Sequence, residues 1–352
     1  MTRVMHVISG LGTGGAEAML VQLVHALKAR GFEQSVVSVS NHSEKADAIR
    51  DAGVPVDFLD VTSMKNAAGG IYRLTRLVRD RRPDVLQGWM YHGDLFAAAA
   101  NFTVPGPRRL YWSLRASDTV QGGYGRLVRL CARLSRLPEL IIANSQSGLD
   151  FHRAQGYRPR RAEVIPNGVD TEKFRPDLAT RSALRQEFAL PENAVVAIHV
   201  ARLDPMKDHA TFLKAMWALP AMRGLLVGAG TETLDLPDNV RALGLRTDVA
   251  RLYRCADLVV SSSAFAEGFS NILAEGMSSG LVPVATDVGD ARLIVGAVGE
   301  IVPVRDPEAL AQAMSRAADR SDLAIHKQRA RERIVENFTL ERAVDRFARL
   351  YG

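Results

Sequence analysis

Residues 267–275 read EGFSNILAE, two glutamates eight positions apart around a Gly-Phe-Ser-Asn turn. On one continuous helix they would stand roughly 80° apart, too far for a shared face. With Ser270 or Asn271 as an N-cap, Glu267 falls in the loop before a helix and Glu275 on its inner side, so both carboxylates flank one helix N-terminus. The backbone N–H groups of Phe269, Ser270 and Asn271, next to Gly268, then offer donors at the positive end of the helix dipole, a place that favours anionic oxygens. Arg202 and Lys207, in HVARLDPMKDHATFL, follow another strand end and supply two cations suited to clamping a diphosphate. A plain surface pair is the bland alternative. An anion set against the helix end and the cations, with neutral hydroxyls set against the carboxylates, reconciles the opposed charges. Ligands of that kind carry phosphates together with sugar and ribose hydroxyls.

A second loop with chemical potential is GLGTGG at 10–15, which contains G-x-G-x-x-G through Gly10, Gly12 and Gly15. It follows a strand-like run and opens a helix-like one, the context a dinucleotide fold requires. A nicotinamide-binding domain should also end its second strand on an acidic residue, and here that end reads SVSN, with Glu44 arriving only afterwards. What remains is a loop whose backbone can approach a phosphate or sugar closely, or a tight turn with no ligand.

These residues need strands and helices to hold them. VMHVIS, QSVVSVS, PDVLQGW, RRLYWSL and ELIIANS are short buried-strand runs separated by helical stretches such as AEAMLVQLVHALKAR, which Gly31 ends. The alternation predicts a parallel sheet with crossover helices. It restarts after residue 170 with AVVAIHVA, RGLLVGAG, NVRALG, DLVVSSS and VPVATD, interrupted by ATFLKAMWAL and DVARLYRCA. Two α/β domains of the βαβ type therefore meet near an irregular linker marked by Pro166, Asn167, Gly168 and Pro176. Open sheets of this kind bind ligands beyond the carboxyl ends of their strands, where the glycine loop, the Arg202–Lys207 pair, Gly228–Gly230 and the Glu267–Asn271 turn all fall.

Composition fits a globular chain of 352 residues, 47% hydrophobic and 24% charged, long enough for two domains. Cys131 and Cys255 stand far apart among apolar neighbours, which suits a reduced compartment and forms neither a disulfide framework nor a CxxC metal site. No apolar run approaches the roughly 18 residues that span a bilayer, and MTRVMHVIS is too short for a signal peptide, so the expected location is the cytoplasm. Charge is uneven. Residues 1–170 carry 22 Lys+Arg against 15 Asp+Glu, and residues 171–352 carry 23 against 24. The first half faces something acidic or wears a solvated basic surface. Within it, RLVRLCARLSRL at 126–137 places Arg126, Arg129, Arg133 and Arg136 on one helical stripe beside Leu127, Leu130, Leu134 and Leu137. Such a helix rests on an anionic membrane, at the inner face of the cytoplasmic membrane, or buries its leucines in a core under a solvated arginine face.

The chain resembles the retaining glycosyltransferases of family 4. The resemblance is carried above all by SSSAFAEGFSNILAEGMSSGLVPVATDVGD, similar to the family's Glu-x7-Glu segment and the strand after it. GGAE, IPNGVDTEKFRP and the Arg202 and Lys207 pair also match, so the resemblance runs nearly end to end. It implies a GT-B fold, two Rossmann-like domains facing across an interdomain cleft. Residues 1–168 would bind acceptor, 169–335 would bind a nucleotide-sugar donor, and 336–352 would form a helix crossing back to the first domain. That closing helix, FTLERAVDRFARLYG, has Ala343, Phe347 and Leu350 at helical spacing. By position, Glu275 is expected on the donor ribose, Glu267 on the transferred sugar, Arg202 and Lys207 on the diphosphate, and Gly14 and Gly15 over the phosphates. The base is expected near Leu245 and Arg246. His92 of GWMYHGDLF is expected near the reacting carbon or as an ordinary polar loop histidine. Arg115 and Asp118 of WSLRASD are expected toward the acceptor or as a structural ion pair.

The implied reaction moves a sugar from a UDP- or GDP-sugar, with retention, to a lipid-linked or polysaccharide acceptor of the bacterial cell surface, such as a lipopolysaccharide precursor. No cofactor, metal or nucleic acid is expected to take part; no D-x-D triplet occurs. Asp208 and Asp290 stand where the family frequently has Gly, which leaves the donor base open. Two rivals share the scaffold: a sugar-nucleotide 2-epimerase, which would need no acceptor, and a non-catalytic sugar-nucleotide-binding subunit, which would bind without turnover.

Overall fold

The computed structural model describes residues 2–12, 14–115, 125–319 and 321–352. It divides the chain into two compact units, Met1–Gly168 together with Glu341–Gly352, and Val169–Leu340.

The first unit holds a seven-stranded parallel sheet: β1 (Arg3–Ile8), β2 (Glu33–Ser38), β3 (Val56–Phe58), β4 (Val85–Trp89), β5 (Arg109–Leu114), β6 (Leu140–Ala143) and β7 (Ala162–Val164), in the order β3-β2-β1-β4-β5-β6-β7. The inner strands are apolar runs because helices cover both faces of a parallel sheet. Val4, Met5, Val7, Ile8, Val85, Leu86 and Trp89 are all buried. The second unit repeats the scheme with β8 (Val196–Val200), β9 (Arg223–Val227), β10 (Val240–Ala242), β11 (Leu258–Ser261), β12 (Val282–Thr286) and β13 (Glu300–Val302), ordered β10-β9-β8-β11-β12-β13. Strand order reverses between β1 and β4 in one unit and between β8 and β11 in the other. At such a switch point neighbouring loops leave in opposite directions and open a crevice at the carboxyl ends. β3, β7 and β13, three residues each at sheet edges, lie outside the runs read as strands in the sequence; edge strands carry little of the continuous apolar signal that marks inner ones.

The last helix, Leu340–Tyr351, packs on the first sheet. Phe347 stacks on Trp89 with ring centroids 6.2 Å apart, and Tyr351 stacks on Tyr111 at 6.4 Å and donates its hydroxyl to Gln87. Tyr111 in turn donates to the carbonyl of Leu350 at 3.1 Å. The register follows from the spacing: Ala343, Val344, Phe347 and Tyr351 fall on one face and are buried. At the amino end of β11, the buried Asp257 accepts from Arg185 (2.8 Å), Arg181 (2.7 Å), Lys327 (2.5 Å) and the N–H of Val196 (2.9 Å). Burial pushes this carboxyl up, but Lys327, Arg181 and the Val196 N–H outweigh that and hold it below the usual range.

The helix Gly125–Leu134 departs from a single leucine stripe. Its core face is Val128, Cys131 and Ala132, with Leu127 and Leu134 packed at the margin. Leu130 stays 45% exposed between Arg129 and Arg133, and because the helix ends at Leu134, Arg136 and the 48% exposed Leu137 fall in the turn that follows it. The small residues at 131 and 132 let the helix sit close to the sheet, so leucines a few positions around the cylinder are not needed to fill the gap.

Candidate functional site

In the second unit β8 ends at Val200 and the chain stays tied to the neighbouring strand, with Ala201 N–H donating to Val227 O (2.8 Å) and Leu203 N–H to Ala229 O (2.8 Å). Between these bonds the Arg202 side chain projects into solvent and folds against Asp204 at 2.9 Å. Asp204 also caps the turn Pro205–Lys207 by accepting from the N–H of Met206 at 3.0 Å. Asp208 then adopts φ 44° and ψ 56°. That left-handed conformation explains why glycine suits the position, and Asp208 offsets the strain by accepting from Thr211, at 2.6 Å from its Oγ1.

The turn delivers Lys207 to Glu267, and the ammonium pairs directly with Oε1. Ser263 Oγ donates to the same oxygen at 2.8 Å. Behind them Ser262 Oγ lies 3.0 Å from the carbonyl oxygens of both Lys207 and Asp208, and 3.0 Å from His199 Nε2. Because the serine proton goes to a carbonyl, His199 donates from Nε2, and burial holds this imidazole neutral. Sequence reasoning did not single out Ser262, Ser263 or His199. Their only signal was position at the ends of β11 and β8.

Glu267 is presented by a strained turn. Ala266 has φ 62°, and Gly289, at φ 60°, brings its backbone so close that an added Cβ would lie 2.3 Å from Glu267 O. Asp290 N–H donates to Gly268 O at 3.1 Å, which pins the turn from the next loop. Phe269 turns its ring inward, 5% exposed, 5.5 Å from the Phe338 ring centroid. Ser270 is the N-cap of the helix Asn271–Ser278, without a side-chain cap bond, and its buried Oγ has no hydrogen-bond partner among the described residues. Of the two sequence candidates for the cap, Ser270 holds it because Asn271 is already helical.

Glu275 lies one turn into that helix, part-buried near the Tyr253 phenol. Burial pushes its carboxyl up to about 7, and Lys173 partly offsets the shift. Leu245 and Arg246 follow β10, in a loop fastened by Gly228 N–H to Gly244 O at 2.7 Å. Leu245 is 76% exposed, while Arg246 forks onto Asp248 with two bonds of 2.8 Å. Thus Lys207 and Glu267 meet, Gly268 to Glu275 continue from them, and Arg202 and Arg246 are turned toward local aspartates.

In the first unit Gly14 is the N-cap and Gly15 the first residue of the helix Gly15–Ala29. A Cβ on Gly14 would lie 2.4 Å from Glu17 Oε2, so glycine there lets Glu17 fold back over the helix start. Burial raises the Glu17 carboxyl. His92 is the third residue of the helix Met90–Thr103 and is exposed just past the end of β4, two residues after Met90, which has φ 63°. A non-glycine residue in that region is strained, and the elbow it makes turns the chain sharply from strand into helix. Arg115 is held by structure: Nε donates to Ser113 Oγ (2.9 Å), Nη1 to Asn167 Oδ1 (3.0 Å), and the guanidinium covers Trp89 at 4.4 Å. Burial lowers its pKa to about 10. Asp118 lies outside the described residues.

Sequence comparison matches residues 13–173 to the model of Glycosyltransferase Family 4 and residues 194–320 to that of Glycosyl transferases group 1. The UDP-Gal:alpha-D-GlcNAc-diphosphoundecaprenol alpha-1,3-galactosyltransferase of Escherichia coli is 28% identical over 211 residues, 55% of this chain and 54% of that protein. The D-inositol 3-phosphate glycosyltransferase of Geodermatophilus obscurus is 32% identical over 222 residues, 56% of this chain and 48% of that protein. The chain thus spans about half the length of these curated relatives. Among solved structures, Anabaena Alr3699/HepE in complex with UDP superposes with a TM-score of 0.88 at 22% identity, covering 99% of both chains. That likeness is one of fold, the two-Rossmann GT-B architecture.

Proposed function

The chain belongs to glycosyltransferase family 4, and on that premise we propose that it transfers a sugar from a nucleoside diphosphate sugar, with retention, to a lipid-linked or polysaccharide acceptor. The observation that carries the reading is the Lys207–Glu267 turn leading into the Asn271–Ser278 helix at the switch point of the second sheet. Arg202 leaves Asp204 to join Lys207 on the diphosphate, whose oxygens also meet the N–H groups of Phe269, Ser270 and Asn271. Glu267 accepts from the sugar hydroxyls and Glu275 from the ribose, and Leu245 and Arg246 border the base. Gly14 and Gly15 are proposed for the phosphates and His92 for the reacting carbon. UDP is the favoured nucleotide, since the HepE structure holds it and the Escherichia coli relative is named for UDP-galactose.

In the reaction the bond between the anomeric carbon and the diphosphate oxygen breaks, and the acceptor oxygen bonds to that carbon on the same face. The acceptor's proton passes to the departing diphosphate. The protein's part is to position both substrates and to stabilise the charge growing on the leaving group, through Lys207, Arg202 and the helix N-terminus. The acceptor, if lipid-linked, requires the enzyme at a membrane surface, and the arginine-rich face of residues 126–137 is the proposed contact. No helix among the described residues is long and apolar enough to cross a membrane.

A thermal-shift panel of UDP, GDP, ADP and NAD tests the donor site. A nucleotide at a hundred times its dissociation constant stabilises the fold by about 2.7 kcal/mol. A selective rise with UDP supports the reading, while a rise with NAD alone, or with none of the four, refutes it.

A further inference from the structure

At the amino ends of β6 and β7, opposite the strand ends that carry Gly14 and His92, lies a cavity of about 640 Å³ lined by Arg136, Arg153, Tyr157, Arg158, Pro159 and Arg160. Four of six lining residues are arginines and none is acidic. The buried ring of Tyr157 forms the wall, packed against His152 at 4.9 Å. Arg158 is fixed through neutral groups alone: its N–H donates to Ser135 Oγ at 2.8 Å, and its Nη1 to the carbonyls of Tyr157 (2.9 Å) and Arg153 (3.1 Å). Arg136 and Arg160 form no ion pair among the described residues, and Arg153 has only Asp150, at 3.7 Å. Of the four arginines that line this space only Arg153 has a carboxylate partner among the described residues, so their like charges repel one another, and a multiply charged anion with several acceptor oxygens relieves that repulsion by forked hydrogen bonds.

The surroundings say which anion. Arg136 lies in the turn after the helix Gly125–Leu134, next to Leu137, which is 48% exposed, and the last turns of that helix add Arg129, Arg133 and Leu130, which is 45% exposed. Leucines at solvent within a ring of arginines sink to the boundary between headgroups and acyl chains, as amphipathic interfacial helices do. We propose that the Arg136–Arg153–Arg158–Arg160 cavity binds the phosphate of an anionic phospholipid headgroup while Leu130 and Leu137 enter the leaflet beside it. The inference rests on the proposed membrane contact and adds a defined headgroup site to it.

The test is co-sedimentation with vesicles of phosphatidylcholine alone and of phosphatidylcholine with phosphatidic acid, comparing wild type with an R153Q/R160Q variant. Both side chains are exposed, so equal melting temperatures should show the variant folded. At roughly fivefold per arginine near an anionic surface, the double variant should partition about 30-fold more weakly onto the phosphatidic acid vesicles at low salt. An L130Q/L137Q variant should also lose binding. Equal sedimentation of wild type and R153Q/R160Q overturns the proposal. So does a wild type that stays in the supernatant while inorganic phosphate raises its melting temperature, since the cavity would then serve free phosphate. The UDP shift, measured on the same variants, should persist throughout. Its absence in wild type would count against the donor site and leave the vesicle result standing.

Discussion

Replacement of Glu275 by Gln should stabilise the ligand-free protein by an amount that grows from pH 5 and levels off just above neutral pH. In the fold this carboxyl is pushed up to about 7 by burial, from an ordinary 4.5. An acid that holds its proton more tightly in the folded state contributes stability below its unfolded pKa and loses it as pH rises through the folded value. Two and a half units at about 1.4 kcal/mol each give a loss of about 3 kcal/mol at pH 8 and under about 1 kcal/mol at pH 5. Glutamine keeps the shape and cannot ionise, so the gap between E275Q and wild type should open with pH over that window. For a unit of this size about 3 kcal/mol corresponds to roughly 6–12 °C in melting temperature. The assay is thermal melting of both proteins from pH 5 to pH 8, in which every other titrating group cancels in the difference. A constant difference across the range, or a variant less stable at pH 8, would refute the reasoning. The same physics bears on ligand binding: ribose hydroxyls donating to Glu275 favour its ionised form, so UDP binding near pH 6.5 should release protons, seen as a buffer-dependent heat in calorimetry.

Three further outcomes follow from the geometry. Gly289→Ala puts a Cβ 2.3 Å from Glu267 O at φ 60°, so it should cost about 1–3 kcal/mol in denaturant melts and weaken the UDP shift, through displacement of the Glu267 turn. Lys207→Met should destabilise the second unit by leaving Glu267 without its cation, and K207M/E267Q should recover about 1–3 kcal/mol of that without restoring UDP binding; additive single effects in the double-mutant cycle would deny the coupling. Phe347→Ala removes a fully buried ring stacked on Trp89 and should cost about 3–5 kcal/mol, read from chemical denaturation of the first unit; a loss below about 1 kcal/mol would mean the last helix is not anchored there.

Pattern carried much of the architecture. Inner strands such as Val196–Val200 and Val282–Thr286 are apolar on both faces, because a covered parallel sheet leaves neither face to water, and so they stand out as unbroken runs. Of the four three-residue edge strands only β10, within NVRALG, reads as a strand in the sequence; β3, β7 and β13 do not, since partial burial removes the demand for apolar residues. At the site, a helix starting beside Ser270 was legible from the cap residue and the apolar spacing after it. The Lys207–Glu267 pair was not, as its partners lie 60 positions apart and meet only because β8 and β11 are neighbours in the sheet.

The sequence by itself determined the residue types of the site, the alternation of strand and helix, and the restart that makes two sheets, since each depends on local spacing and on which side chains water rejects. Only the tertiary structure decided that Asp208 and Ala266 take left-handed backbones, that Gly289 must be bare beside Glu267, and that Glu275 holds its proton near neutrality. It also decided that four arginines spread over residues 136–160 line one cavity. These are matters of close approach and of desolvation, which are set by what lies across the fold and not by neighbours along the chain.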